Sequence, residues 1–273
     1  MSGMDYKSFL KVFGNQSGYD FSNYSENSIS RRLQKICEET GLTFEEILDK
    51  IVGDRSFVRQ IVEDITVNTT ELFRDPSVWA YLRQNMYPKL PKMTKTTIWH
   101  IGCSTGLEVY SNLVMLSEMG MLENSRVYGT DINESVLEVA RAGEYVYSFN
   151  KNYVTNFDEV MKESGFAGVK FDKYFEIDEK NDLIKVRDIL KGRPTFMKQD
   201  LVKDKAPFPY KVDCVFLRNV MIYFDEQLQT KILGEVKEKM HPEAVLIMGK
   251  QEEVPVTMKN QFRKAGLFYK KHL

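Results

Sequence analysis

The chain has 273 residues, enough for one large domain or two small ones, and its 42% hydrophobic and 28% charged residues describe a globular protein with a sizeable core. A formal net charge of -1 argues against a nucleic-acid binder, and no apolar run approaches the roughly 18 residues of a membrane span. Cys37, Cys103 and Cys214 are scattered without a CxxC pair and only three histidines occur, which argues against a zinc site or a disulfide framework; no metal is expected.

The opening MSGMDYKSFLKVFG lacks the apolar core of a secretory signal, so the chain reads as cytoplasmic. Phe9, Leu10, Val12 and Phe13 begin a helix, followed by a polar turn, GNQSGYDFSNYSENS. Ile29, Leu33, Ile36 and Cys37 recur at helical spacing up to Gly41. Thr43 and Glu46 form a capping-box pattern, and Phe57, Ile61, Val62 and Ile65 mark a further helix. Asp75-Pro76 fits a helix start with proline at its first position, and Val78, Tyr81, Leu82 and Met86 follow as its stripe.

From residue 96 strands and helices alternate. TTIWHI and RVYGTDI read as strands, VYSNLVMLSEMG and ESVLEVARAGEY as the helices after them. PTFMKQDL, VDCVFL and AVLIMGK are further strands, with the helix EQLQTKILGEVKEKM before the last. This order implies a parallel sheet covered on both faces, with ligands beyond the carboxyl ends of its strands. FDKYFEIDEKNDLIKVRDIL alternates apolar and polar residues around a polar turn, the pattern of an inserted antiparallel hairpin.

The turn HIGCSTG after the first strand admits three readings. It can cradle a nucleoside, although Ser104 and Leu107 stand where a dinucleotide fingerprint needs glycine. Gly102-x-Ser104-x-Gly106 also matches the nucleophile elbow of a serine hydrolase, with His241 as the candidate base. Finally, it can be a tight turn without a ligand. Asp131, at the end of RVYGTDI and 25 residues after Gly106, favours an adenosine-type cofactor, because an acid there suits ribose hydroxyls.

Longer strings carry a resemblance to a known family. FSNYSENSISRRLQKI, ITVNTTELFRDPSVW, IWHIGCSTGLEVYS, GTDINESVLEVARAGEY and FLRNVMIYFDEQLQTKIL occur in order over nearly the whole chain. They resemble the CheR-type chemotaxis receptor methyltransferases, which methylate glutamate side chains with S-adenosylmethionine. The resemblance implies an α/β fold: a Rossmann-like class I methyltransferase domain with a small inserted antiparallel β-subdomain, preceded by a helical N-terminal domain. The expected divisions are residues 1–66 for the helical domain, 67–92 for a linker helix region and 93–273 for the methyltransferase domain, with the insertion at about 168–190.

The implied reaction gives glutamate methyl esters on cytoplasmic helices of chemoreceptors, in signal adaptation, with S-adenosylhomocysteine as product. The resemblance also implies site residues: Asn68, Thr70 and Arg74 contact the cofactor, Gly102 lies in its turn, and Glu108 meets its methionine end. Asp131 binds the ribose, Asp200 and Leu201 line the adenine, Arg218 and Asn219 lie on the cofactor side, and Tyr223 sits near the transferred methyl. Arg74 and Tyr223 are the candidate catalytic pair. The pattern is not complete. Leu107 replaces the first of two usual acids, Asp200 stands where Asn is usual, and PEAVLIMGKQEE replaces a glycine pair with a Ser-Glu string. The first two departures leave an alternative, a catalytically silent signalling adaptor that binds the same cofactor.

Overall fold

The computed structural model describes residues 4–91 and 95–272. Four helices come first: α1 (Tyr6–Ser17), α2 (Glu26–Thr40), α3 (Phe44–Ile51) and α4 (Arg55–Ile65). Their apolar stripes meet in a core that includes Phe9, Phe13, Phe21, Leu33, Ile47 and Ile61. The capping box forms: the Glu46 N–H donates to Thr43 Oγ1 at 3.3 Å and the Thr43 N–H to Glu46 Oε2 at 2.8 Å. The expected polar turn is shorter than its composition implies. Gly14 to Ser17 belong to α1, which stops at Gly18 with φ 82°, and Phe21 beyond it is buried in the core.

Helix α5 (Pro76–Asn85) begins with its proline, as expected, but Asp75 does not cap it. That residue adopts φ 58° and its carboxylate points elsewhere. The expected boundary between residues 92 and 93 lies outside the described residues.

The second part runs β1 (Thr96–Ile101), α6 (Leu107–Glu118), β2 (Ser125–Asp131), α7 (Glu134–Ala142), β3 (Glu144–Val146), α8 (Asn152–Glu163), β4 (Phe175–Asp178), β5 (Leu183–Val186), β6 (Pro194–Lys198), β7 (Val212–Leu217), α9 (Glu226–Lys239), β8 (Met240–Met248), β9 (Phe262–Ala265) and β10 (Phe268–Lys271). The main sheet has the order β6-β2-β1-β7-β8-β10-β9. Strands β6, β2, β1, β7 and β8 are parallel. The expected all-parallel sheet is corrected at one edge, where β10 runs antiparallel to β8 and to β9. Side chains alternate across the sheet: Ile98, Cys214 and Phe216 face a core shared with α5, α6 and α8, whereas Trp99, Ile101, Val215 and Leu217 face α9.

The hairpin expected at 168–190 forms as β4 and β5, joined by β3 in a small antiparallel sheet of order β3-β5-β4. Gly143, at φ 61°, ends α7 and turns the chain into β3, so the GEY read as helix is the end of a helix and the start of a strand.

Two features of this topology place a cavity. The chain winds from β1 outward through β2 to β6, then crosses back to β7 and β8, so the order reverses beside β1 and opens a crevice beyond its carboxyl end. The helical domain then covers that crevice. Tyr24 bridges Phe224, the Ser25 N–H donates to the Tyr223 carbonyl at 2.8 Å, and the Asp225 N–H donates to the Asn23 carbonyl at 2.9 Å.

Candidate functional site

The crevice is a cavity open to solvent, with walls from both parts of the chain. Tyr24, Ser28, Ile29 and Ile65 come from the helical part, Asn68, Thr70 and Arg74 from the connecting segment. Gly102, Asp131, Asp200, Leu201, Arg218, Asn219 and Tyr223, from beyond the ends of β1, β2, β6 and β7, and Glu108 in the first turn of α6 complete it. Every cofactor and catalytic residue implied by the family resemblance therefore lines one cavity.

The turn after β1 is built for close passage. Gly102 has φ 64°, and a Cβ there would stand 2.4 Å from Val220 Cγ2, so any side chain would push away the loop that follows β7. Ser104, at φ 50°, turns its N–H to Asp131 Oδ2 at 2.8 Å. The Asn133 N–H takes Asp131 Oδ1 at 3.0 Å. Burial pushes the Asp131 carboxyl above the usual range, and the backbone N–H groups of Asn133, Ser104 and Ile132 oppose that push. Each Asp131 oxygen thus accepts one backbone N–H and keeps a lone pair for the cavity it lines.

The hydrolase reading fails on geometry. Ser104 Oγ donates to the Asn68 carbonyl at 3.1 Å, and His241 is exposed at the far end of β8 from the cavity.

Arg218 is the charged centre. Its side chain is 1% exposed and lies between two carboxylates, with NH1 3.0 Å from Glu108 Oε2 and NH2 2.7 Å from Asp75 Oδ2. Lys250 reaches Asp75 Oδ1 from the other side at 3.2 Å. For Glu108, burial favours the neutral acid, but the His100 hydrogen bond and the Arg218 charge outweigh it and bring the carboxyl below its ordinary value. Asp75, read from sequence only as a helix start, is therefore a member of this ion network.

Tyr223 and Arg74 both line the cavity. Burial raises the pKa of the Tyr223 hydroxyl, and the positive charges of Arg32 and Arg74 oppose it, which places both guanidinium groups within electrostatic reach. Arg74 has only a loose pairing with Glu71, 3.7 Å from Nε to Oε1.

The two departures differ in their relation to the cavity. Leu107 is buried in the core beneath α6 and does not line the cavity. Asp200 lines it, spends Oδ1 on the Val202 N–H at 2.9 Å, and keeps the acceptor that an asparagine oxygen would supply but not the amide donor.

One residue was missed. Glu252, 7% exposed, lies in the segment that replaces the usual Ser-Glu string. Its Oε2 accepts the N–H groups of Asn219 at 2.6 Å and Gly249 at 2.7 Å; its Oε1 accepts those of Val220, Met221 and Ile222 at 2.9, 2.8 and 3.3 Å. It holds the loop that carries Asn219 and Tyr223. The only local signal was a glutamate just past the end of a strand.

The walls fit a nucleoside with an amino-acid tail. They offer carboxylates at Asp131, Asp200 and Glu108 for hydroxyl, amino and ammonium donors. The buried Asn219 Oδ1 and Gln199 Oε1, both from residues lining the cavity, have no hydrogen-bond partner and can accept from a ligand.

Residues 68–270 match the family model described as CheR methyltransferase, SAM binding domain, and residues 4–66 match the CheR methyltransferase all-alpha domain. The chain belongs to the CheR methyltransferase family. It is 32% identical over 237 residues to a methyltransferase named Cher3 from Pseudomonas putida, covering 86% of this chain and 84% of that one. A chemotaxis protein methyltransferase of Borreliella burgdorferi is 29% identical over 261 residues, covering 90% and 86%. Another from Campylobacter jejuni is 26% identical over 273 residues, covering 99% and 97%. The protein is an S-adenosylmethionine-dependent methyltransferase. Among the described residues no helix is long and apolar enough to cross a membrane.

Proposed function

We propose that the enzyme methylates glutamate side chains on helices of chemoreceptors, forming methyl esters. The observation that carries this reading is Arg74: a guanidinium that lines the same cavity as Tyr223, is 30% exposed at the side chain and is only loosely paired with Glu71. S-adenosylmethionine supplies an electrophilic methyl on a positively charged sulfur. A glutamate carboxylate is already ionised at neutral pH, so the protein needs no general base. Its work is to hold that anion in line and exclude water. Arg74 does the first through its planar fork, which binds a carboxylate without taking a proton from it. Tyr223 donates a hydrogen bond to the same carboxylate, and its raised pKa keeps the hydroxyl protonated. Arg32, on α2, adds positive charge within electrostatic reach of Tyr223, which favours an acidic helix as substrate.

Asp131 takes the ribose hydroxyls in this reading, Asp200 and Leu201 the adenine, and Glu108 the ammonium. Gly102, Asn68, Thr70, Arg218 and Asn219 form the rest of the cofactor wall.

Incubation with labelled cofactor and receptor fragments is expected to give base-labile methyl groups on glutamates. Arg74→Ala should lower kcat by about 10²–10³-fold, the scale of losing one preorganised charge-stabilising donor, while calorimetric affinity for S-adenosylhomocysteine changes far less. Cofactor binding without any carboxyl-methyl product on any receptor fragment would sink the substrate assignment.

Asp131→Asn separates ribose binding from the fold. An amide can accept from either Ser104 N–H or Asn133 N–H but not both. One buried N–H is orphaned, at a cost of about 1–3 kcal/mol. S-adenosylhomocysteine affinity should drop by more than about tenfold, the loss of one good hydrogen bond to a charged acceptor. Unchanged affinity in titration calorimetry would remove Asp131 from the ribose site.

A further inference from the structure

A chain of buried polar groups runs through the core to the cavity wall. Tyr87, in the single 3₁₀ turn after α5, is fully buried, and its hydroxyl donates to Asn112 Oδ1 at 2.7 Å. With that oxygen accepting, the other end of the amide is the Nδ2 donor, and it lies 2.9 Å from His100 Nε2. Nε2 is thereby an acceptor, the proton of the neutral ring is on Nδ1, and Nδ1 donates to Glu108 Oε1 at 3.0 Å. The His100 ring is 0% exposed and stacks on Phe216, with centroids 4.3 Å apart and planes 12° apart. Of these residues only Glu108 lines the cavity. Apolar side chains, Ile98, Cys214 and Phe216, otherwise fill this sheet face, so three buried polar side chains here ask for a reason.

Arg218 supplies the second observation. Its Nη1 holds Glu108 Oε2 while His100 holds Oε1, so each oxygen of the carboxylate has its own partner and the group is fixed from two directions.

We propose that His100 is a positioning residue for cofactor recognition. The Tyr87–Asn112–His100 chain fixes the Glu108 carboxylate so that its free lone pairs face the cavity, available to the ammonium at the amino-acid end of the cofactor. The inference rests on the reading of Glu108 as the ammonium ligand.

The test compares two ligands by calorimetry: S-adenosylhomocysteine, which has the amino-acid end, and 5′-methylthioadenosine, which lacks it. His100→Phe keeps the ring and its stack on Phe216 but removes the donor. It is expected to weaken S-adenosylhomocysteine by about tenfold and methylthioadenosine by less than about twofold. Tyr87→Phe, which touches neither ligand nor cavity, should give a smaller loss, roughly two- to fivefold, with the same selectivity. It carries the comparison should His100→Phe fail to fold. Equal losses for both ligands would mean general distortion and would overturn the proposal, as would no loss for either. Glu108→Gln tells the two failures apart. If it does not discriminate between the ligands, the Glu108 reading falls; if it does and neither His100→Phe nor Tyr87→Phe follows, the positioning role alone falls.

Discussion

Glu252→Gln is expected to lower the free energy of unfolding by about 2–6 kcal/mol. One carboxylate there serves the N–H groups of Asn219 and Gly249 with one oxygen and those of Val220, Met221 and Ile222 with the other. A glutamine has a single acceptor oxygen. Even in its better orientation it turns an NH₂ group toward the Asn219 and Gly249 N–H groups and orphans both, at about 1–3 kcal/mol each. Asn219 is also one of the few non-glycine residues at positive φ, 59°, a conformation that the carboxylate helps to hold. Because Tyr223 follows in the same loop, a shift of about 1 Å should cost about 10²-fold in kcat/KM. Urea unfolding and steady-state kinetics on the variant check both numbers. A loss under about 1 kcal/mol with activity unchanged would mean that solvent, not Glu252, satisfies this loop.

What the sequence revealed and what it hid divide by distance along the chain. The Thr43–Glu46 box and the Gly41 stop are local geometry, and both are as read. The glycine turn and Asp131 could be paired because parallel adjacent strands bring their ends together, and the Ser104 N–H does reach Asp131. Asp75 shows the opposite case. Its place before Pro76 marks the helix start correctly, but its carboxylate is claimed by Arg218, 143 residues away, and not by the helix. Glu252 and the loop after β7 meet only because β7 and β8 are neighbours in the sheet.

Some of what was missed had a signal. Helix α8 was overlooked although Tyr153, Phe157, Val160 and Met161 have helical spacing and are buried. Glu108 and Asn112, four apart on α6, share a helix face, and that face meets His100 on β1. Strands β9 and β10 are four residues each and rich in lysine, too short and polar for periodicity to separate them from loop.

Arg218→Met should cost about 3–5 kcal/mol at pH 7, because it leaves the Glu108 carboxylate buried without its main counter-charge. Asp75 is less affected, since it is 26% exposed at the side chain and keeps Lys250 at 3.2 Å. The pH dependence distinguishes this electrostatic cost from lost packing. In the native protein burial raises the Glu108 pKa, but His100 and Arg218 together bring it below the ordinary carboxylate value. Its contribution to stability is therefore present above the unfolded-state pKa and is lost as pH falls through the lower, folded one. Without Arg218 the balance shifts back toward burial and the carboxyl pKa rises. A folded state that takes the proton more readily than the unfolded state gains stability as pH falls. Both changes act in the same direction, so the stability gap between the two proteins should narrow between pH 7 and about pH 4. Denaturant unfolding across that range measures it. A constant gap would instead assign the loss to the contact of Arg218 with the Trp79 ring, whose centroid is 6.0 Å away, an interaction that does not titrate.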